Sequence, residues 1–301
     1  MTKARPSILF ASLMLVVTFS LASLGGVPAT GLNKIAQQEI PTLAPDQTVE
    51  RNREDDQPHL YRVHLQAGEY INVRLQVLTG KFYFGVSLLT PDGKRIEGTQ
   101  ENNETEQQNS PALLAIAQLT GDYMVEVRSG MSVRSNLDNS SLPSRYKITL
   151  AARVPTDQDK DRVEAWVSFV EGQRNHGLDT SESIAKAKIL YARSGDLFHR
   201  TGDFEIERRV LEMLADICNS LGDYEHAVEV AQRSVALSRT IGNLNGGSNA
   251  LMYVGEAYIH LGDYGQALDA FRQALPLWQA QGKRSSWGVG WTFHSMATCS
   301  H

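Results

Sequence analysis

"LGDYEHA" runs from Leu221 to Ala227 and "LGDYGQA" from Leu261 to Ala267, so the chain writes nearly the same heptapeptide twice, forty positions apart. Sliding the whole sequence by that spacing extends the match. Ala187 falls on Ala227 and Ala267, Leu211 on Leu251 and Trp291, and Ala215 on Gly255 and Ser295. "TGDFE" at 201 likewise meets "IGNLN" at 241 and "QGKRS" at 281. A fixed period of this size marks an array of stacked structural units. Each unit reads as two amphipathic helices punctuated by Gly. The Gly supplies the left-handed residue that closes the first helix, and the Asp after it caps the second. Tyr224 and Tyr264 are expected to pack across the turn, and the small Ala or Gly positions let paired helices approach closely.

The spacing of Gly255, Tyr258, Leu261-Gly262, Tyr264, Ala267, Phe271 and Ala274 resembles a tetratricopeptide repeat in a forty-residue form. The preceding unit is a looser copy, with Cys218 in place of the Tyr and Ala231 in place of the Phe, and helices at about 157–174 and 181–199 form a degenerate leading unit. The resemblance implies an α-solenoid whose first helices line a concave surface that holds a protein or peptide. On that geometry the partner-binding side chains are Arg209, Glu212, Asp216, Asn249, Met252, Glu256, His260, Thr292 and Met296. Asp216 and Glu256 occupy equivalent places. Their charge argues against a clamp for a C-terminal carboxylate and for a basic or mixed partner.

Upstream the period changes from helical to alternating. "HLYRVHLQ" (59–66), "EYINVRLQVL" (69–78), "FYFGVSLL" (82–89), "LLAIAQL" (113–119), "DYMVEVR" (122–128) and "RYKITLA" (145–151) alternate apolar and polar residues between turn signals. That pattern predicts half-buried antiparallel strands in a jelly-roll-like β-sandwich over 49–152. "HLYRVHLQAGEYINVRLQ", "LLTPDGK", "LTGDYMVEVRS" and "RYKITLAA" resemble the bacterial pre-peptidase C-terminal type of sandwich, which implies a non-catalytic accessory module. A second reading gives this sandwich a carbohydrate or cell-envelope ligand, with the repeats as a spacer. The polar stretches 97–111 and 129–144 read as loops.

The fold class is therefore multidomain, all-β followed by all-α, with the helical repeats over 155–301. At "VPTDQDKDRVEAWV" Asp157, Asp159 and Asp161 invite a calcium loop. The Gly and Glu such a loop needs are Arg162 and Ser168, so the template fails. Thr156 followed by Asp159 is instead the start of a helix with a capping box.

The N-terminus carries Lys3 and Arg5, an apolar run from Ile8 to Leu24, and Val27-Pro28-Ala29. This is the pattern of a secretory signal over 1–29, with a linker over 30–48. It predicts a periplasmic or secreted product with no stable membrane span after cleavage. A net charge of −5 gives no cationic surface for nucleic acid. Two Cys make no disulfide framework. Asn103 and Asn139 head acceptor sequences that matter only in a glycosylating host.

No H-E-x-x-H, G-x-S-x-G, P-loop, strand-linked G-x-G-x-x-G or paired C-x-x-C occurs, so no enzyme, metal or cofactor is expected. His59 and His64 point to opposite faces of one strand and cannot share a metal. The array stops at "WTFHSMATCSH" without the polar capping helix a solenoid needs, so either its open end meets a partner or a dimer mate, or the protein continues. An export signal, an accessory sandwich and long repeats in that order resemble the front half of bacterial CHAT proteins. That resemblance implies a regulatory binding half whose peptidase domain is absent here; Cys218 and Cys299 lie in repeat helices and do not inherit its nucleophile's role.

Overall fold

The computed structural model describes residues 40–54, 57–79, 84–97, 112–129, 144–281 and 286–299. The expected signal segment, most of the linker, the two polar loops and both Asn acceptor sites lie outside them. Pro41–His301 forms one compact unit.

Among the described residues, eight strands make up its first part: β1 (Thr48–Arg53), β2 (His59–Leu65), β3 (Tyr70–Thr79), β4 (Phe84–Leu89), β5 (Arg95–Glu97), β6 (Ala112–Ile116), β7 (Gly121–Ser129) and β8 (Ser144–Arg153). They pair into two four-stranded sheets, ordered β1-β8-β3-β6 and β2-β7-β4-β5, and every ladder is antiparallel. The chain crosses between sheets at nearly every step, which is the jelly-roll connection expected from the alternating pattern. Tyr61, Val63 and Leu65 of β2 face Ile71, Val73 and Leu75 of β3 in the buried layer. Arg62, His64, Arg74 and Gln76 alternate outward, as a two-residue period dictates. Two strands were not anticipated as separate elements. β1 is polar along most of its length, and β5 is only three residues long beyond the Pro91-Asp92-Gly93 turn.

Helices follow: α1 (Asp157–His176), α2 (Ser181–Thr201), α3 (Phe204–Ser220), α4 (Tyr224–Ile241), α5 (Leu244–Leu261), α6 (Tyr264–Ala280) and α7 (Ser286–Thr298). The first begins with the expected capping box. Thr156 Oγ1 accepts from Asp159 N at 3.2 Å, and Asp159 Oδ2 accepts from Thr156 N at 2.8 Å. Each Asp of the trio meets a cation of the protein: Asp157 meets Lys160, Asp159 meets Arg153 and Asp161 meets Arg200.

Gly202, Gly222, Gly242 and Gly262 all take φ between 71° and 77°, the left-handed turn that closes each of α2 to α5. The caps after them differ from expectation. Asn243 and Asp263 do cap, accepting from Gly246 N and Gln266 N. Asp203 and Asp223 make no side-chain cap bond. Their carboxylates turn instead to cations on earlier helices, Asp203 to Arg162 at 2.7 Å and Asp223 to Lys188. An ion pair between two full charges outweighs the cap bond to an uncharged amide that it replaces. The two tyrosines also diverge. Tyr224 stacks flat on His260, with ring centroids 4.6 Å apart, whereas Tyr264 is half exposed.

Ala187, Ala227 and Ala267 are fully buried where the paired helices touch. A Cβ at Gly255 would overlap the Phe271 ring, which sets the approach of α5 to α6. Glu207, fully buried on α3, holds three helices together by accepting from Arg233 Nε of α4 at 2.8 Å and by contact with His199 Nδ1 of α2 at 3.0 Å. Among the described residues, no helix is long and apolar enough to cross a membrane.

Candidate functional site

The first helices of successive units, α3 and α5, pack directly on each other. Glu212 and Asp216 stand one turn apart on α3, while Asn249, Tyr253, Glu256 and His260 follow one another at three- or four-residue steps along α5. Side chains spaced this way share one helix face, so the sequence pattern itself builds an acidic strip across the two helices.

The carboxylates of that strip are all shifted in one direction. Burial pushes Glu212 up to about 7, although Arg208 and Arg209 pull against it. Burial also raises Asp216, with His176 opposing. Glu256 is raised by burial and then by repulsion from Asp216, with His260 opposing. The Tyr253 hydroxyl is raised by burial and by all three carboxylates, which places it amid them electrostatically. Tyr191 is pushed up to about 12 by burial and Asp216. Glu212 is tied to Arg208, which also bonds Glu205 at 2.7 Å. Neither Asp216 nor Glu256 has an ion-pair partner among the described residues.

The nine residues expected on this surface divide into groups. Asp216 and His260 are exposed, and Arg209, Glu212, Asn249 and Glu256 are half-buried. Met296 is half-buried and packs against the last core cluster. Met252 and Thr292 are buried outright, with Thr292 Oγ1 donating to Gly288 O at 2.7 Å and lying 3.4 Å from Met252 Sδ. These two join α5 to α7 rather than face solvent, because the approach of neighbouring first helices closes over them. Tyr253 was missed in the sequence. It lies four residues after Asn249 and three before Glu256, so the same spacing rule includes it.

One cluster has the composition of a metal centre. The side-chain donors of Cys218, Asp223 and His226 lie within 4.8 Å of one another. The electrostatics oppose that use. Lys188 already occupies Asp223 Oδ2, and burial pushes the Cys218 thiol up to about 11, away from the thiolate a metal requires. Cys218 Sγ and Asp223 Oδ2 both approach the same imidazole nitrogen, Nδ1, at 3.5 Å, so the three cannot relay a proton from thiol to carboxylate either.

Residues 206–280 match the family model described as a tetratricopeptide repeat. No curated protein matches the sequence. Among solved structures, the chain is similar to the pre-peptidase C-terminal domain of collagenase from Bacillus anthracis, at 14% identity over 38% of this chain and 95% of that one, with a TM-score of 0.29. It is also similar to a TPR-like protein from Chlorobium tepidum, at 14% identity over 48% of this chain and 100% of that one, with a TM-score of 0.39. The N-terminal domain of stress-induced protein-1 from C. elegans aligns at 14% identity over 45% of this chain and 96% of that one, with a TM-score of 0.37. An antiparallel jelly roll is joined to an array of paired helices, and residues 206–280 of that array match the tetratricopeptide-repeat model.

Proposed function

We propose that this chain is a non-catalytic, exported scaffold whose inner helical face holds a basic segment of a protein partner. The observation that carries the reading is the pair Asp216 and Glu256. They lie one repeat period apart on adjoining helices, accessible to solvent, and neither has a cation of its own among the described residues. Their raised carboxyls mean that ionising them here costs free energy, which an incoming Lys or Arg recovers. Tetratricopeptide arrays present such a face as an extended concave surface. Export rests on the basic, apolar and small-residue order of the N-terminus. The succession of sandwich and long repeats supports a place as the binding front of a CHAT-type peptidase.

The test is fluorescence anisotropy of two labelled peptides of equal length, one rich in Lys and Arg and the other in Asp and Glu, titrated with the whole chain. The basic peptide should bind and the acidic one should not. The double variant Asp216→Asn, Glu256→Gln should weaken the basic peptide roughly tenfold, as expected for two desolvated charge contacts. Equal binding of both peptides, or no effect of the double variant, sinks the reading.

A further inference from the structure

A second concavity lies away from the inner helical face, where the outer surface of the β1-β8-β3-β6 sheet meets the first helices. It encloses about 530 Å³, within the range that holds small organic ligands, and it sits at a junction between structural layers, where such sites concentrate. The sheet contributes Asn72, Arg74 and Gln76 from β3 and Lys147 and Thr149 from β8. Their register explains the grouping. Arg74 pairs with Thr149 and Gln76 with Lys147, so alternate outward positions of two neighbouring strands form one polar floor. Trp166 of α1 lies on the opposite wall.

The charges of this cleft are unbalanced. Arg162 is committed to Asp203, with Nε donating at 2.7 Å. Arg74 and Lys147 have no partner among the described residues, so two cations face the cleft unopposed. Gln76 and Thr149, on the same floor, each offer a donor and an acceptor beside the two cations. A hydroxyl-bearing organic acid matches both the charge and these groups.

We propose that this cleft binds a small polyhydroxylated anion, of the size and chemistry of an acidic sugar. Its carboxylate or phosphate is taken by Arg74 and Lys147, and Gln76 and Thr149 exchange hydrogen bonds with its hydroxyls. The site is independent of the peptide face proposed above, since its lining shares no residue with that strip.

Isothermal titration calorimetry of the full chain tests it with four probes: glucuronate, glucose 6-phosphate, glucose and inorganic phosphate. At least one of the two sugar acids should bind with a Kd of about 1 mM or tighter, and which of them does so identifies carboxylate or phosphate as the group read. Arg74→Gln and Lys147→Gln, both on a sheet surface outside the core, should each weaken that binding at least roughly tenfold, a loss of about 1.4 kcal/mol. Gln76→Ala should bring the sugar acid closer to inorganic phosphate. The proposal is overturned if neither sugar acid gives saturable heat in that range, if glucose binds as well as its acids, if inorganic phosphate binds as tightly as the sugar phosphate, or if both cation variants, folded by circular dichroism, bind unchanged.

Discussion

Arg153, the last residue of β8, grips Asp159 in the first turn of α1 through two hydrogen bonds, Nη1 to Oδ2 at 2.6 Å and Nη2 to Oδ1 at 2.8 Å. The same guanidinium lies over the Tyr70 ring, 5.0 Å from its centroid, and Leu114 of β6 packs against the helical core. One ion pair thus fastens sandwich to solenoid. It also completes the capping box, because Asp159 Oδ2 accepts from Thr156 as well.

Burial alone would raise the Asp159 carboxyl, but the bonds from Arg153 and Thr156 overcome it and hold the group down at about 2. The unfolded value is near 3.8, so the stabilisation is complete above that value and is lost as pH falls through about 2. Asp159→Asn should cost on the order of 1–2 kcal/mol at neutral pH, discounted because Arg153 is half exposed to water. Urea titrations of both proteins should show the gap closing as pH falls toward 2. A gap that stays constant with pH would mean that the charge is not what matters there.

Gly255→Ala places a methyl into the Phe271 ring and should destabilise the array by about 1–3 kcal/mol, through overpacking. Gly290→Ala, on α7, meets open space and should stabilise by up to about 1 kcal/mol, the helix-propensity difference. Thermal melts followed by circular dichroism compare the two. Similar shifts in Tm for both would show that helix approach at Gly255 is looser than described.

The acidic strip of α3 and α5 couples binding and stability in opposite senses. Glu212 is raised from 4.5 to about 7, so its contribution to folding is complete below about 4.5 and is lost as pH rises through about 7. Asp216 and Glu256 shift in the same direction. A basic peptide needs the ionised forms, so its affinity should increase across the interval in which Tm declines. Glu212→Gln should flatten both curves near neutral pH. Affinity that falls as pH rises through about 7 would contradict the assignment of these carboxylates.

The repeats were legible because forty-residue spacing and Gly punctuation are local signals. Gly202, Gly222, Gly242 and Gly262 mark the left-handed turns by residue type alone. The jelly roll was legible as a class through period-two alternation, yet β1 escaped because edge position and a polar face leave little apolar signal in "TVERNR". Asp203 and Asp223 looked like ordinary caps because their competitors, Arg162 and Lys188, lie 41 and 35 residues away. The burial of Met252 and Thr292 depends on how closely α7 approaches α5, a distance that no single helix pattern encodes. The floor of the β-sheet cleft was invisible for the same reason. Arg74 and Lys147 read as two solvated strand residues until register set their rows side by side.

Register also decides the chemistry of Cys218. A thiol near an imidazole and a carboxylate reads as a nucleophile, but burial holds this one protonated at about 11 against an ordinary 9, and Lys188 keeps Asp223 occupied. Two units correspond to roughly 100-fold less thiolate at neutral pH, and full burial slows any reagent further. Titration of the native protein with a chromogenic disulfide should therefore show one fast thiol, Cys299, which is partly exposed, and one slow thiol. The slow one should react at the fast rate once urea unfolds the array, and equimolar zinc should leave both rates unchanged. Protection of Cys218 by zinc would instead make the Cys218, Asp223 and His226 cluster a metal site, with Lys188 displaced from its carboxylate.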